Sequence, residues 1–131
     1  MTHTVSAEIH GHTLAPCPDK PNCVSSQTDN THRYIKPFSF SDAPSQAMQR
    51  LRSSVLAEKR VTLVSEEGSY LHAEARSLIF RFVDDLEFLL VPADGLIHVR
   101  SAARTGHSDF GVNRKRVERI RRSFSNHAPA P

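Results

Sequence analysis

The feature that most constrains this chain is a change in the period of its apolar residues, from four to two and back again. After Asp42, Ala43, Ala47, Leu51 and Val55 recur every fourth position with Met48 and Leu56 beside them, which is the stripe of a helix facing a core. From Val61 to Ser101 the period is two. Val117, Ile120 and Phe124 then return at spacings of three and four. The first stripe predicts a helix to about Lys59 with Asp42 as its N-cap and Pro44 in its first turn, and the last predicts a helix from about Val112 to Phe124.

Between the helices the alternation predicts two hairpins. Val61, Leu63 and Ser65 lead through Glu66-Glu67-Gly68-Ser69 to Leu71, Ala73 and Ala75, which alternate with Tyr70, His72, Glu74 and Arg76. Leu86, Phe88 and Leu90 lead through Pro92-Ala93-Asp94-Gly95 to Ile97 and Val99, which alternate with His98 and Arg100. Leu78 to Val83 fits a continued strand, a bulge or a short extra strand. The expectation is an α+β domain in two layers: helix, four-stranded antiparallel sheet, helix. At 131 residues the chain has the size for one core, expected over residues 14–124, between a flexible 1–13 and a disordered 125–131.

Five of eight prolines lie in the first 44 residues, where no apolar period persists, so that stretch reads as an irregular arm. A mean hydropathy of −0.42 and a longest apolar run of only Phe88 to Val91 exclude a spanning helix. The start of the sequence lacks a basic, apolar leader, so the chain as written is expected in the cytoplasm, or exported if its natural start lies upstream.

Cys17 and Cys23 flank Pro18-Asp19-Lys20-Pro21-Asn22, and prolines at turn positions hold such thiols within bridging reach. A disulfide is therefore expected in air, although cytosolic thiols are kept reduced. Zinc held with His10, His12 or His32 is an alternative, weakened by a spacing wider than structural zinc sites use, and a reactive thiol is another. No cofactor and no metal are expected.

Opposite the apolar residues, the register gathers His72, Glu74, Arg76, Glu87, His98 and Arg100 on one face of the sheet. Asp84 and Asp85 add two carboxylates which, as neighbours in a strand, point to opposite faces and form no dyad. The loop after Arg100 adds Arg104, His107 and Asp109 before a helix that opens near Asn113 and Arg114, where an anion is one reading and Asp109 or Asn113 as a cap is the other. These residues are the candidate binding cluster. The expected function is a binding or interaction module for a protein or a small anionic ligand. The alternative is a metal- or anion-dependent catalyst using His72, Glu74, Asp84, Asp85, His98 and Arg100.

Charge is uneven along the chain. Residues 101–131 carry seven Lys/Arg against two Asp/Glu, while residues 61–100 carry three against seven. Arg114, Lys115, Arg116, Arg119, Arg121 and Arg122 crowd the last helix, which permits weak nucleic-acid contact. With neither interleaved aromatics nor a recognition motif, no sequence preference is expected, and nucleic acid is not the expected partner.

Four blocks carry a family resemblance: residues 14–26 around the cysteines, Tyr70-Leu71-His72-Ala73-Glu74-Ala75-Arg76-Ser77, Phe82-Val83-Asp84-Asp85-Leu86-Glu87-Phe88, and Ile97 to Arg104 with Asp109 to Glu118. Together they resemble the bacterial and plastid family known as domain of unknown function 1499, from about Leu14 to Phe124. The resemblance implies no activity. Many members look exported or lipid-anchored, which would suit a Cys17–Cys23 bridge.

Overall fold

A computed structural model describes residues 13–79, 82–105 and 111–127. In chain order the elements are β1 (Cys23–Ser25), β2 (Phe38–Ser39), α1 (Pro44–Leu56), β3 (Val61–Glu67), β4 (Tyr70–Arg76), β5 (Val83–Val91), β6 (Leu96–Ala103) and α2 (Val112–Asn126). The α+β class with an antiparallel sheet is as expected. The sheet, however, has six strands rather than four, in the order β1-β6-β5-β4-β3, with β2 also on β6.

Both additional strands come from the arm. β1 pairs with Arg100 to Ala102 and β2 with Leu96 and Ile97, so the two lie in line along the outer edge of β6. They seal that edge, whose backbone groups would otherwise be open to a foreign strand. The element order thus begins with two strands rather than a helix.

The helices cover one face. Ala47, Leu51 and Val55 of α1 and Val117, Ile120 and Phe124 of α2 meet Leu71, Ala73, Leu86, Phe88, Ile97 and Val99 in a single cluster. Phe38 stands between Phe88 and Phe124, its ring 5.9 and 5.6 Å from theirs.

Several local expectations are corrected. Asp42 does not cap α1: Ala43 holds that position without a side-chain bond, while both Asp42 oxygens accept from Arg50 at 2.9 Å. α1 stops at Leu56 and α2 runs on to Asn126. Asn113 does not cap α2, because Gly111 occupies the N-cap and Asn113 is fully buried. A bulge between Leu63 and Ser65 interrupts the alternation of β3 and sets Ser65 opposite His72. Leu78, Ile79 and Phe82 lie outside any strand, and Ser77 N donates to Phe82 O at 2.9 Å between β4 and β5. At the β5–β6 turn Gly95 has φ of 63°, and a Cβ there would stand 3.1 Å from Phe40 O, so this turn requires glycine.

Candidate functional site

Strand register assembles the polar face from three strands. Glu74 lies opposite Asp85, His72 opposite Glu87, and Glu87 in turn opposite Arg100. Two groups result.

The first is at the end where β4 leads into β5. His72 Nε2 lies 2.8 Å from Asp85 Oδ1, and Arg104, just beyond β6, folds back to donate from Nε to Asp85 Oδ2 at 2.8 Å and from Nη2 to Oδ1 at 2.9 Å. Arg104 Nη2 also reaches Glu74, whose other oxygen accepts from Arg76 Nη2 at 3.2 Å. The chain Arg76–Glu74–Arg104–Asp85–His72 is thereby continuous. Burial alone would raise the Asp85 carboxyl, yet the bonds from His72 and Arg104, with the charge on Arg104, hold it well below the usual carboxylate range. The bond to Asp85, opposed by partial burial and helped by Glu74, raises Arg104 further.

The second group is covered by the arm. Glu87, buried, accepts from Tyr70 Oη at 2.8 Å and from Arg100 Nη1 at 3.0 Å. Arg100 Nη2 continues to Pro16 O at 3.3 Å, and Leu14 packs with Tyr70 and Leu89. His98 stands apart from both groups, 3.0 Å from Ser26 Oγ, and burial pushes its imidazole below the ordinary value against a weaker pull from Asp94.

The remaining candidates lie elsewhere. Asp84 faces the helices and accepts from Arg116 Nη1 at 2.9 Å. Arg116 also donates to Asn113 Oδ1 at 3.2 Å, which accepts from Ser101 Oγ, and Asn113 Nδ2 donates to Asn22 O at 3.3 Å. Arg114 serves the arm, donating to Tyr34 O at 2.8 Å and His32 O at 3.1 Å. His107 and Asp109 lie outside the described residues, as do His10 and His12.

Tyr70 and Leu14 are absent from the candidate site residues read from the sequence, and Arg116 entered there only as one of the cations of the last helix. Tyr70 was readable, since it shares the alternation that places His72 and Glu74. The burial of Leu14 and the inward pairing of Arg116 were not, because their partners are distant in sequence.

Chemically, the first group is a neutralised cluster. His72, Glu74 and Asp85 bring donor atoms within 4.8 Å of one another, which is a possible ligand set for a cation. In this arrangement the Arg104 guanidinium already supplies the positive charge between the two carboxylates. Cys17 and Cys23 are joined, with Cα atoms 5.7 Å apart. Their sulfurs are therefore neither zinc ligands nor a reactive thiol, and the bridge pins the arm at the start of β1. No helix among the described residues is long and apolar enough to cross a membrane.

No curated protein matches the chain. A family model described as "Protein of unknown function (DUF1499)" matches residues 13–124, taking in both charge groups, the bridged arm and nearly all of α2, and the chain belongs to that family.

Proposed function

We propose that the protein is a binding module that recognises an anionic group, on a partner protein or a small ligand, through Arg76 and Arg104 at the open end of the polar sheet face. One observation carries this reading: the carboxylates point inward and the guanidiniums outward. The Arg104 and Arg76 side chains are 47% and 42% exposed, against 18% for Glu74 and 22% for Asp85. Carboxylates so placed fix the arginine forks, whose remaining N–H groups are oriented for an incoming carboxylate or phosphate.

The same geometry gives less support to a catalyst. A carboxyl held as low as Asp85 is a poor proton acceptor at neutral pH, and His72 lies buried beneath it. Nucleic acid is also less supported. Arg114, Arg116, Arg119 and Arg121 spend their guanidiniums on Tyr34 and His32 carbonyls, Asp84, Glu58, and Glu118 with the Pro37 carbonyl. The Cys17–Cys23 bridge favours an oxidising compartment as the place of work.

Calorimetric titration with inorganic phosphate and with citrate tests the proposal. The expected result is saturable binding that Arg104→Gln weakens by about tenfold or more, with Arg104→Lys intermediate because it keeps the charge and loses the fork. Binding of neither anion, or equal binding by Arg104→Gln, would overturn it.

A further inference from the structure

The two edges of the sheet are finished differently. At one, β1 and β2 pair along β6. At the other, β3 ends the strand order, and among the described residues no strand lies beyond it. Val61-Thr62-Leu63-Val64-Ser65-Glu66-Glu67 contains neither proline nor glycine, and Leu63 and Val64 stand 37% and 49% exposed. An edge strand of that composition is a template for another strand. The direction of its backbone groups follows from the ladder. Arg76 N donates to Arg60 O at 3.0 Å, and Val61 lies opposite Ala75, so Arg60 and Arg76 form a hydrogen-bonded pair. In an antiparallel ladder such pairs alternate with pairs whose N–H and C=O groups point away from each other. Those of Val61 and Leu63 therefore point away from β4, toward the open edge. The bulge after Leu63 breaks the alternation, so the run open to a partner is short.

Charge selects what pairs there. Lys59 and Arg60 stand just before the strand, and Glu66 and Glu67 at its far end. Arg60 Nε is turned to the Arg76 carbonyl at 3.2 Å, and both Glu66 oxygens accept from Arg52 at 2.7 Å. Lys59 and Glu67 are exposed, and among the described residues neither forms an ion pair. The seven residues of the strand span about 20 Å, so these two charges cannot meet within one molecule. A second copy laid antiparallel along the same edge brings each lysine to the acidic end of the other copy's strand. A parallel arrangement would set lysine beside lysine and glutamate beside glutamate.

We propose that β3 pairs antiparallel with β3 of a second copy of this chain, about a two-fold axis near Leu63, continuing the sheet across two molecules. Backbone bonds from Val61 and Leu63 supply attraction, Leu63 and Val64 lose exposed apolar surface, and the two contacts between Lys59 and Glu67 fix the direction. Because the open run is short, the dimer is weak and forms reversibly. It rests on side chains other than those of the anion-recognition reading, so either can fail without the other.

Sedimentation velocity of the oxidised protein from about 10 to about 500 μM tests this, with a reversible shift from monomer to dimer expected as concentration rises. Lys59→Glu and Glu67→Lys, each alone, are expected to weaken association by about fivefold or more. The two together are expected to restore it, because the reversed pair attracts again. All three variants are expected to keep the parent's circular dichroism, since both side chains are exposed. In hydrogen exchange of the parent protein, the amides of Val61 and Leu63 are expected to slow as the dimer forms. A monomer throughout the series would overturn the proposal, as would a dimer that leaves those two amides unprotected. So would a double variant that associates no better than the single ones, since Lys59 and Glu67 would then not face each other.

Discussion

Asp84 and Asp85 are neighbours on one strand, and the two faces of the sheet hold them in opposite ways. On the helix side Asp84 meets Arg116, itself anchored by Asn113 within a neutral network of Ser101 and Asn22, closed on all sides by α2, β6 and the arm. On the other side Asp85 meets Arg104, which arrives from beyond the end of β6 and keeps nearly half its side chain in solvent. Both carboxylates are satisfied, so satisfaction alone does not mark a recognition surface. What separates them is where the cation points: Arg116 is enclosed and serves the fold, whereas Arg104 keeps donors free for something outside it.

The largest effect expected from this contrast is on the closed side. Arg116→Ala leaves Asp84 buried without its cation and is expected to cost about 3 to 5 kcal/mol in urea denaturation, of which Arg116→Met combined with Asp84→Asn recovers a large part. A cost no greater than that of a surface residue would erase the distinction between the faces. Arg100 is intermediate, since it pairs with buried Glu87 under the arm and retains some exposure. Arg100→Ala is expected to lower stability by about 1 to 3 kcal/mol, read from the same denaturation curves.

The smallest effect belongs to Arg104→Ala, expected at about 1 kcal/mol or less at neutral pH because the ion pairs are half in water. Its signature is in acid. The folded Asp85 carboxyl titrates below its unfolded value of about 3.9, so its contribution is present above that value and is lost as pH falls through the lower folded one. Removing Arg104 takes away part of what lowers Asp85, so the acid-unfolding midpoint of Arg104→Ala is expected to move to higher pH. An unchanged midpoint would mean that His72 alone holds Asp85.

The division of the sheet into two faces was legible because Leu71, Ala73 and Ala75 alternate cleanly with Tyr70, His72 and Glu74, and a period of two fixes which side chains share a face. The same rule separated Asp84 from Asp85. The strands of the arm were not legible: three residues at Cys23–Ser25 and two at Phe38–Ser39 are too short to display any period, and only pairing with β6 makes them strands. Arg116 read as part of a solvated basic stripe because its partner lies 32 positions away, and nothing local distinguishes a cation that turns inward from one that turns out. For the same reason the arm's cover over Glu87, built from Leu14 and Pro16, had no trace in the strands it covers.

The position of β1 has a consequence for the order of folding. Cys23 pairs with Ala102, so the sheet edge is completed by a segment made early in synthesis joining one made late. The two cysteines, only six positions apart, are both available long before β6 exists. The local hairpins β3–β4 and β5–β6 and the adjacent β4–β5 pair need only short loops closed, whereas docking of the arm must close a loop spanning most of the chain. The arm is therefore the last piece to find its place, and until it does β6 is an open edge.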